Sequence, residues 1–364
     1  MRTSPFLTPD PGRRGARRRR VSRTAGAAVL ALVIAAAAAA AILIPRSHAG
    51  SRRAAARAPG ATARAHRPAP PAPAQPALAP TGLPLGTPSF KLTDIGTGVQ
   101  DPVRIAFHAP PRAGLLFDLD DGRVLWQRNA LERLRIASLT KMMTALLAVK
   151  SGRPDGRVLV TREAIDTDGS KVGVLPLGRR VPFETMLYGL LLPSGNDAAV
   201  ALAQHLAGSV GRFVQRMNDA AAKLGLGCSR FASPSGYIDQ DNFSCAADLA
   251  ELAHLDLAQP RIARITRTAS AILPFPIKGG KLYLYNNNPM LRYGYPGTTG
   301  LKTGYTVASG RCLVATAQRR GVRLGVVLLD SPDPATQARK LLDRAFERIY
   351  HQRPVPEPPM PAGA

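Results

Sequence analysis

The chain has 364 residues with Lys+Arg 49 against Asp+Glu 24, a formal charge of +25, and 45% hydrophobic residues, enough for one or two folded domains. The basic excess is uneven: residues 1–72 hold 14 Arg and a single acid, Asp10. That tail shows neither aromatic–basic interleaving nor zinc-ligand spacing, which argues against a nucleic-acid partner.

Residues 1–24 form the basic tail. Residues 25–44 (AGAAVLALVIAAAAAAAILI) carry no charge and no proline, and as a helix they cover roughly 30 Å, one bilayer core. Arg17 to Arg20 and Arg23 stand just before them, and positive flanks stay on the cytoplasmic side. The segment reads as a transmembrane anchor with the N-terminus inside. A signal segment cut after Ser47-His48-Ala49 is the alternative, although the apolar run exceeds the usual signal core of about 7–15 residues. Either reading exports the rest of the chain. Residues 45–100 read as a disordered linker, dense in Ala, Pro and Arg, because proline removes backbone donors and almost nothing large and apolar is left to bury.

The globular domain is expected over residues 101–351. Gly114 to Leu119 is a strand candidate, Asp121-Gly122 a turn signal, and Arg123 to Gln127 a second strand. Ser138 to Val149 is dense in Leu, Met and Ala and predicts a helix. Residues 182–207 predict two helices broken at Pro193-Ser194-Gly195. Phe213 to Leu224 and Ala246 to Leu257 predict two more. Arg311 to Ala317 and Val322 to Leu329 are β-rich runs separated by Gln318-Arg319-Arg320-Gly321, a hairpin. Ala335 to Tyr350 places Leu341, Leu342, Ala345, Phe346 and Ile349 on one stripe and predicts a closing helix. Residues 352–364 form a Pro-rich tail. Strands at both ends with helices between imply an α/β chain of the α+β type, its sheet assembled from the two ends around a helical insertion.

Three short motifs carry chemistry. In Ser138-Leu139-Thr140-Lys141, a serine and a lysine three apart at a helix start share a face. A serine hydroxyl needs a base beside it, and a lysine serves when burial or nearby positive charge lowers its pKa. Taken alone the pattern also suits a helix cap. Ser194-Gly195-Asn196 lies at a helix break, where turn and cap residues are ordinary. Lys302-Thr303-Gly304 precedes a β-rich run and equally suits an exposed strand start. In the order SxxK, SxN, KTG, however, the three form the signature set of penicillin-binding proteins and class A β-lactamases.

On these residues the chain resembles the low-molecular-mass penicillin-binding proteins, the serine-type D-alanyl-D-alanine carboxypeptidases. Ile136 to Ala145, Leu192 to Ala199, Gly300 to Thr306, and Phe231 to Tyr237, which is similar to the family's Asn-Pro-x-Gly segment, carry the resemblance over roughly residues 105–350. It implies a β-lactamase/transpeptidase-like fold: an antiparallel five-stranded sheet flanked by helices, plus an all-helical subdomain. It implies that Ser138 attacks the carbonyl between two D-alanines, Lys141 takes its proton, and Ser194 relays a proton to the leaving amine. Asn196, Lys302, Thr303, Gly304 and Tyr305 would bind substrate, with the backbone N–H groups of Ser138 and Tyr305 facing the oxyanion. The implied partners are peptidoglycan stem peptides, with β-lactams as inhibitors, and neither metal nor organic cofactor is implied. The expected location is the bacterial cell membrane, with the catalytic domain extracytoplasmic or, if residues 1–49 are cleaved, secreted. Only about 14 residues follow Tyr350, so attachment is expected of the N-terminal segment and not of the family's C-terminal one.

Several rivals separate on residues. An efficient β-lactamase needs a Glu-x-x-Leu-Asn segment, but Glu251 is followed by Leu252-Ala253-His254. An endopeptidase cutting peptidoglycan cross-links shares every motif. A non-catalytic wall-binding scaffold is disfavoured by the complete motif set. Of the three cysteines, Cys228 and Cys245 flank a polar loop and either bridge it or stay as separate packed thiols, while Cys312 falls in a predicted strand.

Overall fold

The computed structural model describes residues 90–96, 101–238 and 240–354. The basic tail, the apolar segment 25–44, most of the linker and residues 355–364 lie outside them. Among the described residues no helix is long and apolar enough to cross a membrane.

In chain order the strands are β1 (Ala113–Asp118), β2 (Val124–Arg128), β3 (Leu134–Arg135), β4 (Arg157–Leu159), β5 (Arg180–Pro182), β6 (Phe243–Ser244), β7 (Ser270–Pro274), β8 (Lys281–Tyr285), β9 (Thr298–Thr306), β10 (Gly310–Arg319) and β11 (Val322–Leu329). The helices are α1 (Lys141–Ser151), α2 (Arg162–Asp166), α3 (Phe183–Leu191), α4 (Asn196–Ala207), α5 (Val210–Lys223), α6 (Ala246–Leu257), α7 (Pro260–Thr266), α8 (Pro289–Arg292) and α9 (Pro334–Arg348). The main sheet has the order β2-β1-β11-β10-β9 and is antiparallel throughout. N-terminal strands thus pair with C-terminal ones, and the helices between them form the insertion.

Alternation along the strands splits the core in two. Leu115, Phe117, Val314, Val327 and Leu329 face the helical side, together with α1 and α6. Leu116, Leu313, Ala315, Val326 and Leu328 face the other side, where α9 lays down Leu341, Leu342, Ala345 and Phe346. Successive strand residues point to opposite faces, so a sheet covered on both sides buries its residues in unbroken runs. The burial of all six residues of β1 follows.

Three expectations change. The run starting at Ser138 is not one helix: a 3-10 turn over Ala137–Thr140 precedes α1, and Ala137 has a φ of 46°. The linker reading extends too far: Phe90 is buried, stacks on His254 at 4.1 Å, and meets Phe117 edge-on, while the Thr93 N–H donates to the Gly122 carbonyl. Residues 90–96 therefore belong to the folded domain. The connection read as Gln318 to Gly321 tightens to Arg320-Gly321, both at positive φ, the conformation that matches hairpin twist.

Cys228 and Cys245 are bonded, with Cα atoms 5.6 Å apart, and Cys312 is a buried thiol whose sulfur lies 3.6 Å from the Ser309 carbonyl. The bridge closes a 17-residue separation, which contributes about 3 kcal/mol in the chain-entropy view. Asp248 lies beside it, but both sulfurs are spent on each other. Its carboxylate instead accepts from the Cys228 N–H and the Ser229 hydroxyl.

One buried acid works against stability. Asp256 on α6 is 1% exposed, and neither carboxylate oxygen has a hydrogen-bond partner. Burial pushes its carboxyl well above the ordinary 3.8. A raised folded-state value means the domain is at full stability below that ordinary value and loses stability as pH climbs towards the folded one. Asp256→Asn keeps the shape and removes the titration. The variant is expected to melt higher than the parent at pH 8 and at nearly the same temperature at pH 4; thermal melts at the two pH values check this.

Candidate active site

Ser138 sits in the 3-10 turn, and Lys141 is the first residue of α1. The Lys141 Nζ lies 2.8 Å from Ser138 Oγ, 2.7 Å from Asn196 Oδ1 and 2.9 Å from the Ser235 carbonyl. Its side chain is wholly buried, because α1 is covered on nearly every side by α3, α4 and α6. Burial is the main cause that holds its amine well below the usual lysine range; the positive charge of Lys302 adds to this, and Asp197 opposes it. A neutral amine within hydrogen-bond reach of a serine hydroxyl can take its proton, so the pair is a nucleophile with its base.

Asn196 opens α4, and its own amide donates to the Asp168 carbonyl at 2.5 Å. Its backbone N–H donates to Ser170 at 2.7 Å. The neighbouring Asp197 is buried and accepts from the backbone N–H groups of Val172, Gly173 and Ala198. Loop 168–173 is thereby tied to the start of α4. Ser194 precedes it in a left-handed conformation, φ 65°, which turns its hydroxyl to Lys302.

Lys302 Nζ donates to Ser194 Oγ at 2.9 Å and to the Thr303 carbonyl at 2.8 Å. It too is buried, and burial lowers its pKa to about 7. It rides on β9, the edge strand of the sheet, paired with Val314 of β10. At Gly304 a Cβ would come within 2.8 Å of the Ile136 carbonyl and 3.2 Å of the Ser138 nitrogen. A residue without a side chain lets β9 lie against the serine's backbone, with Tyr305 following at once.

Ser138, Ser194, Thr303, Gly304 and Tyr305 line one open cavity of about 650 Å³, with Ser170 and Arg311 also on its wall. Lys141 and Asn196 stand behind it through the contacts above. A smaller cavity, about 330 Å³, lies over Arg133, Arg135 and Asp241, away from this serine–lysine pair. The structure brings the residues of all three motifs together. The remaining two residues singled out, Cys228 and Cys245, form the bridge described above, where the Cys228 N–H donates to Asp248.

Three contributors carry no side-chain signal of their own. The Ser235 carbonyl is the third acceptor for Lys141, the Asp168 carbonyl orients Asn196, and Arg311 is a cation on the cavity wall. For Ser235 a cue exists in Ser233-Pro234-Ser235-Gly236. The Ser233 hydroxyl accepts from the Gly236 N–H at 2.9 Å, and Thr144 donates to the Pro234 carbonyl at 2.7 Å. Gly236 has φ 75°, and a Cβ there would meet the Ala137 carbonyl at 1.9 Å. Left-handed backbone alone costs an alanine about 1–2 kcal/mol, before that overlap. Gly236→Ala is expected to melt at least about 3 °C lower and to lose Ser138 reactivity towards a serine-directed acylating probe. A melt and a labelling time course test both.

Residues 103–333 match the family described as D-alanyl-D-alanine carboxypeptidase. The D-alanyl-D-alanine carboxypeptidase DacF of Bacillus subtilis is 34% identical over 252 residues, 67% of this chain and 64% of that protein. The chain therefore spans a little under two thirds of that relative's length. A Mycobacterium tuberculosis D-alanyl-D-alanine carboxypeptidase is 35% identical over 245 residues, 65% of this chain and 82% of that protein. The crystal structure of a Streptomyces DD-transpeptidase superimposes with a TM-score of 0.63 at 27% identity, covering 67% of this chain and 99% of that one.

Proposed function

The chain belongs to the D-alanyl-D-alanine carboxypeptidase family, and from that premise we propose that it is a serine-type enzyme removing the terminal D-alanine of peptidoglycan stem peptides. The observation that carries the reading is the Ser138–Lys141 pair at 2.8 Å with the lysine wholly buried. Neutral Lys141 takes the Ser138 proton as Oγ bonds to the carbonyl carbon between the two D-alanines. The tetrahedral oxyanion faces the backbone N–H groups of Ser138 and Tyr305. As the carbon–nitrogen bond breaks, the proton passes through Ser194, beside Lys302, to the leaving amine. Water then attacks the acyl carbon while Lys141 takes its proton, and Lys141 returns that proton to Ser138 Oγ as the ester bond breaks and the shortened peptide leaves. Thr303 and Lys302 hold the terminal carboxylate, which suits an exopeptidase. A β-lactam acylates Ser138 by the same route and leaves slowly.

The basic flank before residues 25–44 supports a catalytic domain outside the cytoplasm, held by that segment as a single membrane span or released after its removal.

Ser138→Ala is expected to lower D-alanine release from a peptide ending in D-Ala-D-Ala by at least about 10³-fold, with the fold kept. Stable penicillin labelling at Ser138 without D-alanine release would move the substrate to cross-linked peptides. Neither labelling nor release by the parent would leave a wall-binding scaffold. Acylation requires neutral Lys141, so its rate rises with pH through that group's titration. Removing the neighbouring positive charge by Lys302→Gln favours protonated Lys141, and the acid limb of β-lactam acylation is expected to move to higher pH; stopped-flow acylation across pH measures it.

A further inference from the structure

Strands β7 and β8 form a two-stranded sheet of their own, with Ile272 opposite Tyr283 and Ser270 opposite Tyr285. Leu282 and Leu284 point inward and are buried. The outward face presents Ile272, Tyr283 and Tyr285, which are 62%, 58% and 70% exposed. Residues 270–287 include no Asp or Glu, and Lys278 and Lys281 are exposed at the far end. A contiguous aromatic and aliphatic face of this kind marks a contact surface better than scattered apolar residues do.

The face continues into the catalytic cavity. The chain leaving Tyr285 runs through Asn286, whose buried amide donates to the Thr266 and Thr268 carbonyls. Asn287 then donates from its backbone to Leu192 at 3.0 Å and from its side chain to Pro193 at 3.1 Å. It is pinned to the loop that carries Ser194. Asn287, Pro289 and Tyr293 are themselves part of the cavity wall. At about 3.3 Å per extended residue, Tyr285 stands about 7 Å from Asn287, with Tyr283 a similar step further out.

We propose that this face docks the glycan strand from which the stem peptide hangs, an inference that rests on the peptidoglycan substrate proposed above. A peptide whose end lies in the cavity brings its sugar chain across the rim. Pyranose rings offer an apolar C–H face and a hydroxylated edge. Tyrosine rings match both, stacking through the ring while the phenol stays in water. A bilayer fits less well: the tip of the hairpin, residues 275–280, carries Ile277 as its exposed large apolar side chain while Phe275 is buried, so little is available to insert.

The test uses the full chain in detergent. In a Ser138→Ala background that blocks turnover, Tyr283→Ser with Tyr285→Ser is expected to bind glycan strands stripped of stem peptides about tenfold more weakly. Tyr283→Phe with Tyr285→Phe keeps the ring faces and is expected to bind as the parent does. With Ser138 intact, the serine pair is expected to release D-alanine from a free short peptide at the parental rate and from intact peptidoglycan about tenfold more slowly. Equal glycan binding by parent and serine pair would overturn the proposal. So would an equal loss in the phenylalanine pair, an equal fall on the free peptide, or a loss seen on anionic lipid vesicles instead of glycan. Failure of the unsubstituted chain to release D-alanine from the free peptide would count against the carboxypeptidase reading alone, since glycan binding is read without catalysis.

Discussion

A lysine amine with no access to water is the constraint on which the site depends. Removing Lys141 from solvent disfavours its charged form, and an unpartnered amine in that place would be costly in either form. Three acceptors surround it: the Ser138 hydroxyl from the preceding 3-10 turn, Asn196 from the start of α4, and the Ser235 carbonyl from a loop. Each belongs to a different stretch of chain. Each stretch is in turn fixed by backbone contacts, at Asp168 and Ser170 for Asn196 and at Thr144 and Ala137 for the Ser235 loop. Displacing any one leaves a buried donor short of a partner and changes the basicity on which the serine depends.

The second buried cation follows from the same logic. Lys302 reaches Ser194 from the edge strand and is held near neutrality by burial alone. Among the described residues no carboxylate forms an ion pair with either lysine; Asp197, whose charge acts on Lys141, spends its oxygens on backbone N–H groups. The positive charge of Lys302 lowers the proton affinity of Lys141 further. A pair of this kind can hold one neutral amine as a base and one cationic amine for an anionic substrate within a single cleft.

The fold makes this arrangement affordable by separating the two tasks. The sheet is covered on both faces, by α9 on one side and by α1 and α6 on the other, and so supplies a rigid edge. That edge carries Lys302 and Gly304 to Ser138. The helical insertion carries Ser194 and Asn196 on a break between α3 and α4, where positive φ at Ser194 turns the chain. The cleft lies where the two parts meet, and polar groups can be desolvated there without disturbing either core.

Much of this was legible in the residues. Apolar and β-rich runs marked β1, β2, β10 and β11, because both faces of the sheet are covered, and apolar helix-like runs marked α1, α3, α4, α5, α6 and α9. The SxxK, SxN and KTG motifs each suit an ordinary cap, turn or strand start, and pointed to the chemistry only together, through the family they resemble. Short pairings such as β3 with β6, two residues each, left no periodic trace. Strand β9, TTGLKTGYT, has no alternation and becomes a strand through its ladder with β10. Phe90 looked like linker because a Pro- and Ala-rich stretch leads up to it; its stack on His254 and the Thr93 bond to Gly122 draw residues 90–96 into the domain. The candidate side chains and the covered faces could be read from the chain, since these are properties of residue type and spacing. The local pattern marked the Ser235 loop but not its contact; folding brought its carbonyl to the lysine, Arg311 to the cavity and an exposed tyrosine pair beside it. Those depend on distances between segments far apart in the chain, and no local pattern encodes them.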